Sequence, residues 1–380
     1  MLTKGAIGNL VNRYRAVLQK CNLINTFGSL AVASMLVLGG AGMAEASQYI
    51  EGFGKPVAVE KADITVDGLS DKARVLGGWY ITSAPSDAQK AALNTSITIN
   101  GGVLNKADGN QTGFVFGGHY VSDLTANSSD KTVHAFNTGT TNIVINDVEV
   151  EYVIGGTGMH NSNVEFKGAG TSICITGGIF GKGTPDGNVP EQYVTGGDTL
   201  KQGGYAAYVS SATSTLEKTS IAISGGKFDA AIIGGSNVIE YYRAGAGEMS
   251  AQVGTASIDI RGGEFNHAII GGGLTWGGGD SETHHFPEYK GVISNVDKVV
   301  MNIDGSSGKL AIKGDIYAGG LQGSGNNPEL YNKNTVGEAK VTIANAEVNS
   351  VYGCGAELKQ AASTPGVWGQ WQYSPSPPRP

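Results

Sequence analysis

The chain has 380 residues, of which 60 are Gly, about twice the usual share, while 16% are charged and 11 are Pro. No strict Gly-X-Y period accompanies the glycine, which excludes a collagen, and each Gly in a helix interior costs about 1 kcal/mol relative to Ala, which disfavours a helical fold. The net charge of −7, without clustered Lys and Arg, excludes an ordinary nucleic-acid binder, while 40% hydrophobic residues suffice for a large core.

At the amino terminus, Lys4, Arg13, Arg15 and Lys20 precede an apolar stretch from Phe27 to Ala41, and small residues follow around Met43-Ala44-Glu45-Ala46. This is the order of a secretory signal peptide over residues 1–46, with cleavage after Ala46 favoured over cleavage after Ala44. The apolar stretch holds about 15 residues, short of the roughly 20 that span a bilayer. The Sec export machinery and signal peptidase are therefore expected partners. Removing four basic groups and one acidic group takes the net charge from −7 to −10. Cys21 leaves with the signal peptide, and Cys174 and Cys354 alone make no disulfide framework. No disulfide is expected.

The basic region before the apolar core is long, running from Met1 to about Asn25. Tyr14-Arg15-Ala16-Val17 through Ser29-Leu30-Ala31-Val32-Ala33 resembles the extended signal peptides of Gram-negative autotransporters. The resemblance covers the first eighth of the chain.

Residues 47–60 read as an N-terminal cap, and from about residue 61 to 360 one unit recurs. Its first strand is Ile64-Thr65-Val66, Ile97-Thr98-Ile99, Ile143-Val144-Ile145, Ile173-Cys174-Ile175, Ile221-Ala222-Ile223, Ile258-Asp259-Ile260, Met301-Asn302-Ile303 and Val341-Thr342-Ile343. Its second ends in a glycine corner, at Gly77-Gly78, Gly117-Gly118, Gly155-Gly156, Gly196-Gly197, Gly234-Gly235, Gly271-Gly272, Gly319-Gly320 and Gly353-Cys354, a mean period of about 39 residues. Alternation puts the paired Ile residues on one face, which a single unit cannot bury and stacked units convert into a continuous ladder. The Gly-Gly pairs suit sharp corners with positive φ. The expected fold is all-β, a parallel β-helix of about eight repeats; the alternative is a β-propeller, whose blades have a similar period. The variable spacing and two short strands per unit favour the β-helix.

Autotransporter passengers are commonly right-handed β-helices poor in cysteine, so the resemblance implies that handedness and display at the cell surface or outer membrane of a Gram-negative bacterium, or secretion. Adhesion or self-association would be the task, with a host glycan, a host protein or a second copy as partner. The sequence departs from that family in lacking a translocator barrel. Residues 361–380 read as a disordered, proline-rich tail, although Trp368, Trp371 and Tyr373 give it the means to dock on the last repeat and cover its edge.

Chemistry is sparsely written. The insertion from Leu274 to Pro287 gathers Trp276, expected to be exposed, with Asp280, Glu282, His284 and His285, the best place for a metal or glycan site, but adjacent His residues in a Gly-rich loop preset no coordination geometry and the stretch reads as a solvated loop. Asp259 and Arg261 share a strand face and read as a surface ion pair. Asp147, Glu149 and Glu151 alternate on a predicted strand and read as solvated. His119, His134, His160 and His267 lack partners at a ligand spacing. No Gly-x-Ser-x-Gly elbow, Walker loop or His-Glu-x-x-His is present. The expectation is a non-enzyme with no catalytic, cofactor or metal residues; the alternatives are a polysaccharide-active β-helix enzyme and a secreted structural repeat protein.

Overall fold

Apolar residues at every second position commit most of the chain to strand, and the computed structural model is all-β. It describes residues 46–49, 57–59, 63–66, 74–92, 94–104, 113–124, 132–181, 192–202, 211–240, 248–277, 291–324, 332–360 and 371–375. The expected signal peptide lies outside these up to residue 45, and Ala46 opens a strand.

Successive repeats contribute to four sheets. A long sheet of eight strands takes Asp63–Val66, Thr95–Ile99, His134–Ile145, Val164–Ile175, Ser211–Ile223, Glu248–Ile260, Val292–Asp304 and Asn332–Ala344. A short sheet takes Val103–Leu104, Glu149–Val150, Ile179–Phe180, Lys227–Phe228, Gly263–Phe265 and Leu310–Ile312. A third takes Arg74–Leu76, Phe114–Phe116, Tyr152–Ile154, Tyr193–Thr195, Ala231–Ile233, Ile269–Ile270, Ile316–Tyr317 and Val351–Tyr352, preceded by the antiparallel pair Ala46–Tyr49 and Val57–Val59. A fourth takes Tyr80–Ile81, Tyr120–Ser122, Gly158–His160, Thr199–Gln202, Asn237–Glu240, Leu274–Gly277, Leu321–Ser324 and Ala356–Gln360.

Equivalent strands of neighbouring repeats pair in parallel and in register. Ile97, Ile143, Ile173, Ile221, Ile258, Met301 and Val341 form one line, and Ile99, Ile145, Ile175, Ile223, Ile260, Ile303 and Ile343 another. This stacking is that of a β-helix or related solenoid; a propeller instead closes antiparallel strands within each blade. Six of the eight repeats supply four strands rather than the two expected, and among the described residues the first and last supply three. The short-sheet strands hold two or three residues, too few to show a period, and long-sheet strands reach 13 residues.

The glycine corners also differ from the expectation. Positive φ occurs at Gly102, Gly178, Gly226 and Gly263, where the long strand turns into the short sheet, and at none of the corner pairs from Gly77-Gly78 to Gly271-Gly272. Those corners need glycine for close approach: a Cβ on Gly77, Gly117, Gly155, Gly196 or Gly234 would lie within 3.0 Å of the carbonyl oxygen one repeat on. In the seventh repeat the register shifts the corner by one residue, because Ile316 and Tyr317 pair with Ile269 and Ile270 and so set Ala318 opposite Gly271.

The stack has two inward clusters. One joins the short and third sheets to the second half of each long strand, and at its centre Phe180, Phe228 and Phe265 stack with ring centroids 4.6 Å apart. That is the spacing of paired strands, so each ring contacts its copy in the next repeat. The other cluster joins the fourth sheet to the first half, through Val121, Phe136, Met159, Phe166 and Leu200. A third cluster, with Phe116, Ile154, Ile233, Ile270 and Tyr317, occupies the opposite strand face at the corner between the third and fourth sheets.

The two ends differ. The first repeat carries the strand pair 46–49 and 57–59 where an N-terminal cap is expected. In the stretch expected to be a disordered tail, Trp371–Pro375 forms a strand antiparallel to Ala356–Gln360, so it covers the end of the fourth sheet. Asn332–Ala344 remains the last strand of the long sheet.

Candidate functional site

Where the chain turns from the third to the fourth sheet, one carbonyl per repeat points into the interior. Four threonines of the long sheet answer it across the core. Thr95 and Thr219 donate to the Gly117 and Gly234 oxygens at 2.5 and 2.6 Å, and Thr141 and Thr171 donate to those of Gly155 and Gly196. The four threonines stand in register, and Ala256, Val299 and Ala339 continue the same line. A buried carbonyl without a partner costs more than an average hydrogen bond gains, so these hydroxyls are structural.

The residue after each corner forms a second interior line: Trp79, His119, Thr157, Asp198, Ser236 and Gly273. Each side chain from His119 to Ser236 occupies the space a Cβ would need on the second corner glycine of the preceding repeat. Asp198 is fully buried; its Oδ1 accepts from the Thr157 N–H at 2.6 Å and its Oδ2 from the Ser214 hydroxyl at 2.5 Å. Burial outweighs these bonds and pushes the carboxyl up to about 6. His119 is 1% exposed, and its Nδ1 accepts from the Trp79 N–H at 3.0 Å. Burial lowers its pKa to about 4, so the ring is neutral with the proton on Nε2. Sequence reasoning passed over Asp198 and gave His119 no role; the signal was their shared place after a Gly-Gly pair.

On the surface, Asp123 and His160 form the best-defined titratable pair. His160 Nδ1 lies 3.6 Å from Asp123 Oδ1, which also accepts from Asn161 Nδ2 at 3.2 Å, while the Ser122 hydroxyl donates to Oδ2 at 2.7 Å. Asp123 and Asn161 occupy equivalent left-handed positions, with φ of 58° and 49°, which short polar side chains tolerate. The bond from His160 is the main cause that holds Asp123 down at about 2. The pair fastens two adjacent turns.

The other expected site residues are not brought together. Asp259 does pair with Arg261, at 2.9 Å, and its second oxygen accepts from Asn302 at 2.8 Å. Asp147, Glu149 and Glu151 do not share a strand: Asp147 is an exposed turn residue, Glu149 opens a short-sheet strand and Glu151 is 4% exposed. Trp276 is buried at 6% exposure on a fourth-sheet strand rather than exposed, and Asp280, Glu282, His284 and His285 lie outside the described residues. His134 begins a long strand, and His267 is half-buried with its pKa lowered by burial. Cys354 carries a free thiol; Cys174 is fully buried on the long sheet, four repeats earlier. Among the described residues no three His, Cys, Asp or Glu side chains are grouped to hold a metal ion.

What the outer faces offer is a set of polar pairs joining adjacent repeats. Asn146 donates to Asn100 at 2.6 Å, Gln252 to Asp297 at 2.7 Å, Asn266 to Asp229 at 2.6 Å and Lys313 to Glu264 at 2.6 Å. Aromatic rings add to the first repeats: Tyr80 and Tyr120 stack at 5.6 Å, and Phe114 connects Tyr120 to Tyr152. No protein-family model matches the chain, and no curated protein or solved structure matches it.

Proposed function

We propose that the chain is an exported, right-handed parallel β-helix of about eight repeats that acts at the surface of a Gram-negative cell in adhesion or self-association, without catalysis. The observation that supports this best is the repetition itself. Neighbouring repeats are tied by polar side-chain pairs at several places on their outer faces, so the stack presents a continuous polar surface that suits extended contact more than a single small-molecule site. Export rests on the amino-terminal sequence, and the surface location on its resemblance to autotransporter signal peptides.

The test is expression of the full chain in a Gram-negative host, with amino-terminal sequencing of the exported product and protease treatment of intact cells. The expected result is a chain beginning at Ser47 that external protease removes from intact cells. A chain retaining residues 1–46 in the cytoplasm would refute the reading. The polysaccharide-active alternative draws on Asp259, but its carboxylate is already engaged by Arg261 and Asn302.

A further inference from the structure

Among the described residues, the rung-on-rung packing that builds the core is left open at one end. In the last repeat Val336, Val341, Ile343, Ala346 and Val348 continue the inward lines yet are only partly buried, and Val351 is 44% exposed. Among the described residues, the 13-residue strand Asn332–Ala344 is the edge of the long sheet, and the antiparallel strand Trp371–Pro375 pairs with the fourth sheet. The surface is the same interface that each earlier repeat presents to its successor, so what fits it is another strand of the same pattern.

We propose that this end binds the same end of a second copy of the chain, giving a two-fold dimer in which the two 332–344 strands pair antiparallel. A head-to-tail contact fits less well, because the first repeat begins with the antiparallel cap on the third sheet and, among the described residues, offers the four residues Asp63–Val66 on the long sheet. The sequence of the edge strand is compatible with self-pairing. The strand is in register with the preceding one, where exposed Asp297-Lys298 lie between buried Val296 and Val299, so Gly337-Glu338 set two successive residues on the outer face and Ala339 on the inner one. A two-fold axis between Gly337 and Glu338 sets Val336 opposite Ala339, Asn334 opposite Val341 and Asn332 opposite Ile343 of the second copy, inward against inward throughout. Thr335 and Lys333 meet Lys340 and Thr342 on the outer face, so these pairs set no like charges directly opposite, and the two Glu338 side chains that flank the axis are each paired with Lys298 of their own chain at 3.5 Å. An isologous contact closes at two copies, whereas a head-to-tail one propagates.

This deepens the self-association arm of the reading above, and mass measured on purified protein tests it independently of display on cells. Sedimentation equilibrium on the full chain is expected to give twice the monomer mass at micromolar concentration. Val351→Lys should weaken the dimer at least tenfold while leaving the circular dichroism spectrum unchanged, because that side chain is already 44% exposed. In a Cys354→Ser background, Glu338→Cys should oxidise to a covalent dimer, since the two copies of residue 338 flank the axis. A monomer up to 100 μM would overturn the proposal, as would a ladder of higher oligomers. A chain that dimerises only after removal of residues 361–380 would also overturn it, by assigning the end to the chain's own tail.

Discussion

Replacing Thr171 by Val keeps the shape of the side chain and removes only the hydroxyl that reaches the Gly196 oxygen. Thr171 is 4% exposed and its hydrogen bond spans the interior, so no water replaces the lost donor. A buried carbonyl left without its partner costs about 1–3 kcal/mol, and about 2 kcal/mol is expected here because the valine methyl fills the same volume. Thr171→Ser keeps the donor and removes a methyl group, for about 1 kcal/mol. The measurement is urea unfolding followed by far-UV circular dichroism, comparing midpoints at equal slope. The isosteric change to Val should therefore destabilise more than the smaller Ser. Equal stability of wild type and Thr171→Val, or a larger loss for Ser than for Val, would refute the assignment of these threonines to the corner carbonyls.

Stability against pH should carry two opposed contributions. Asp198 has a folded pKa of about 6, above its ordinary 3.8, so its stabilising share is full below pH 3.8 and is lost as pH rises through 6, a span of about 3 kcal/mol. His119 has a folded pKa of about 4, below its ordinary 6.5, so its share is full above pH 6.5 and is lost as pH falls through 4, again about 3 kcal/mol. These two slopes nearly cancel between pH 4 and 6, and Asp198→Asn should expose the histidine slope as stability that rises with pH; a still-flat profile for the variant would contradict this. Gly196→Ala should cost about 3 kcal/mol, since the new methyl meets the Gly234 oxygen, and a melting temperature equal to wild type would count against close approach as the reason for glycine. Phe228→Ala removes the middle ring of the stack and should cost about 3–5 kcal/mol by the same unfolding assay, with a loss below 1 kcal/mol excluding the stack as core.

The long sheet was legible because its Ile pairs recur with strict alternation, and Ile221-Ala222-Ile223 and Ile258-Asp259-Ile260 indeed lie side by side. The short sheet was not, because Lys227–Phe228 and its equivalents are too brief to show a period. Positive φ occurs at Gly226 and Gly263, just after the long strands, and not at the expected corners Gly234 and Gly271, where the need for glycine comes from the neighbouring repeat and leaves no local signature. The same holds for Asp198: its burial depends on Thr157 and Ser214, brought to it by the stack and not by sequence spacing. Trp276 looked exposed because a Gly-rich run follows it, yet it stands in register with Ile239 on the preceding strand.

In-register stacking of repeats underlies every one of these predictions, and paired cysteines test it most directly. Asn295 and Thr335 are 40 residues apart, directly paired and linked by their side chains on an exposed face. In a Cys354→Ser background, Asn295→Cys with Thr335→Cys should close rapidly to an intramolecular disulfide under mild oxidation, because directly paired residues lie within the reach of about 7 Å between Cα atoms. Asn295→Cys with Lys333→Cys, two residues out of register, should close far more slowly. Equal rates for the two pairs, or no closure of the first, would contradict the stack.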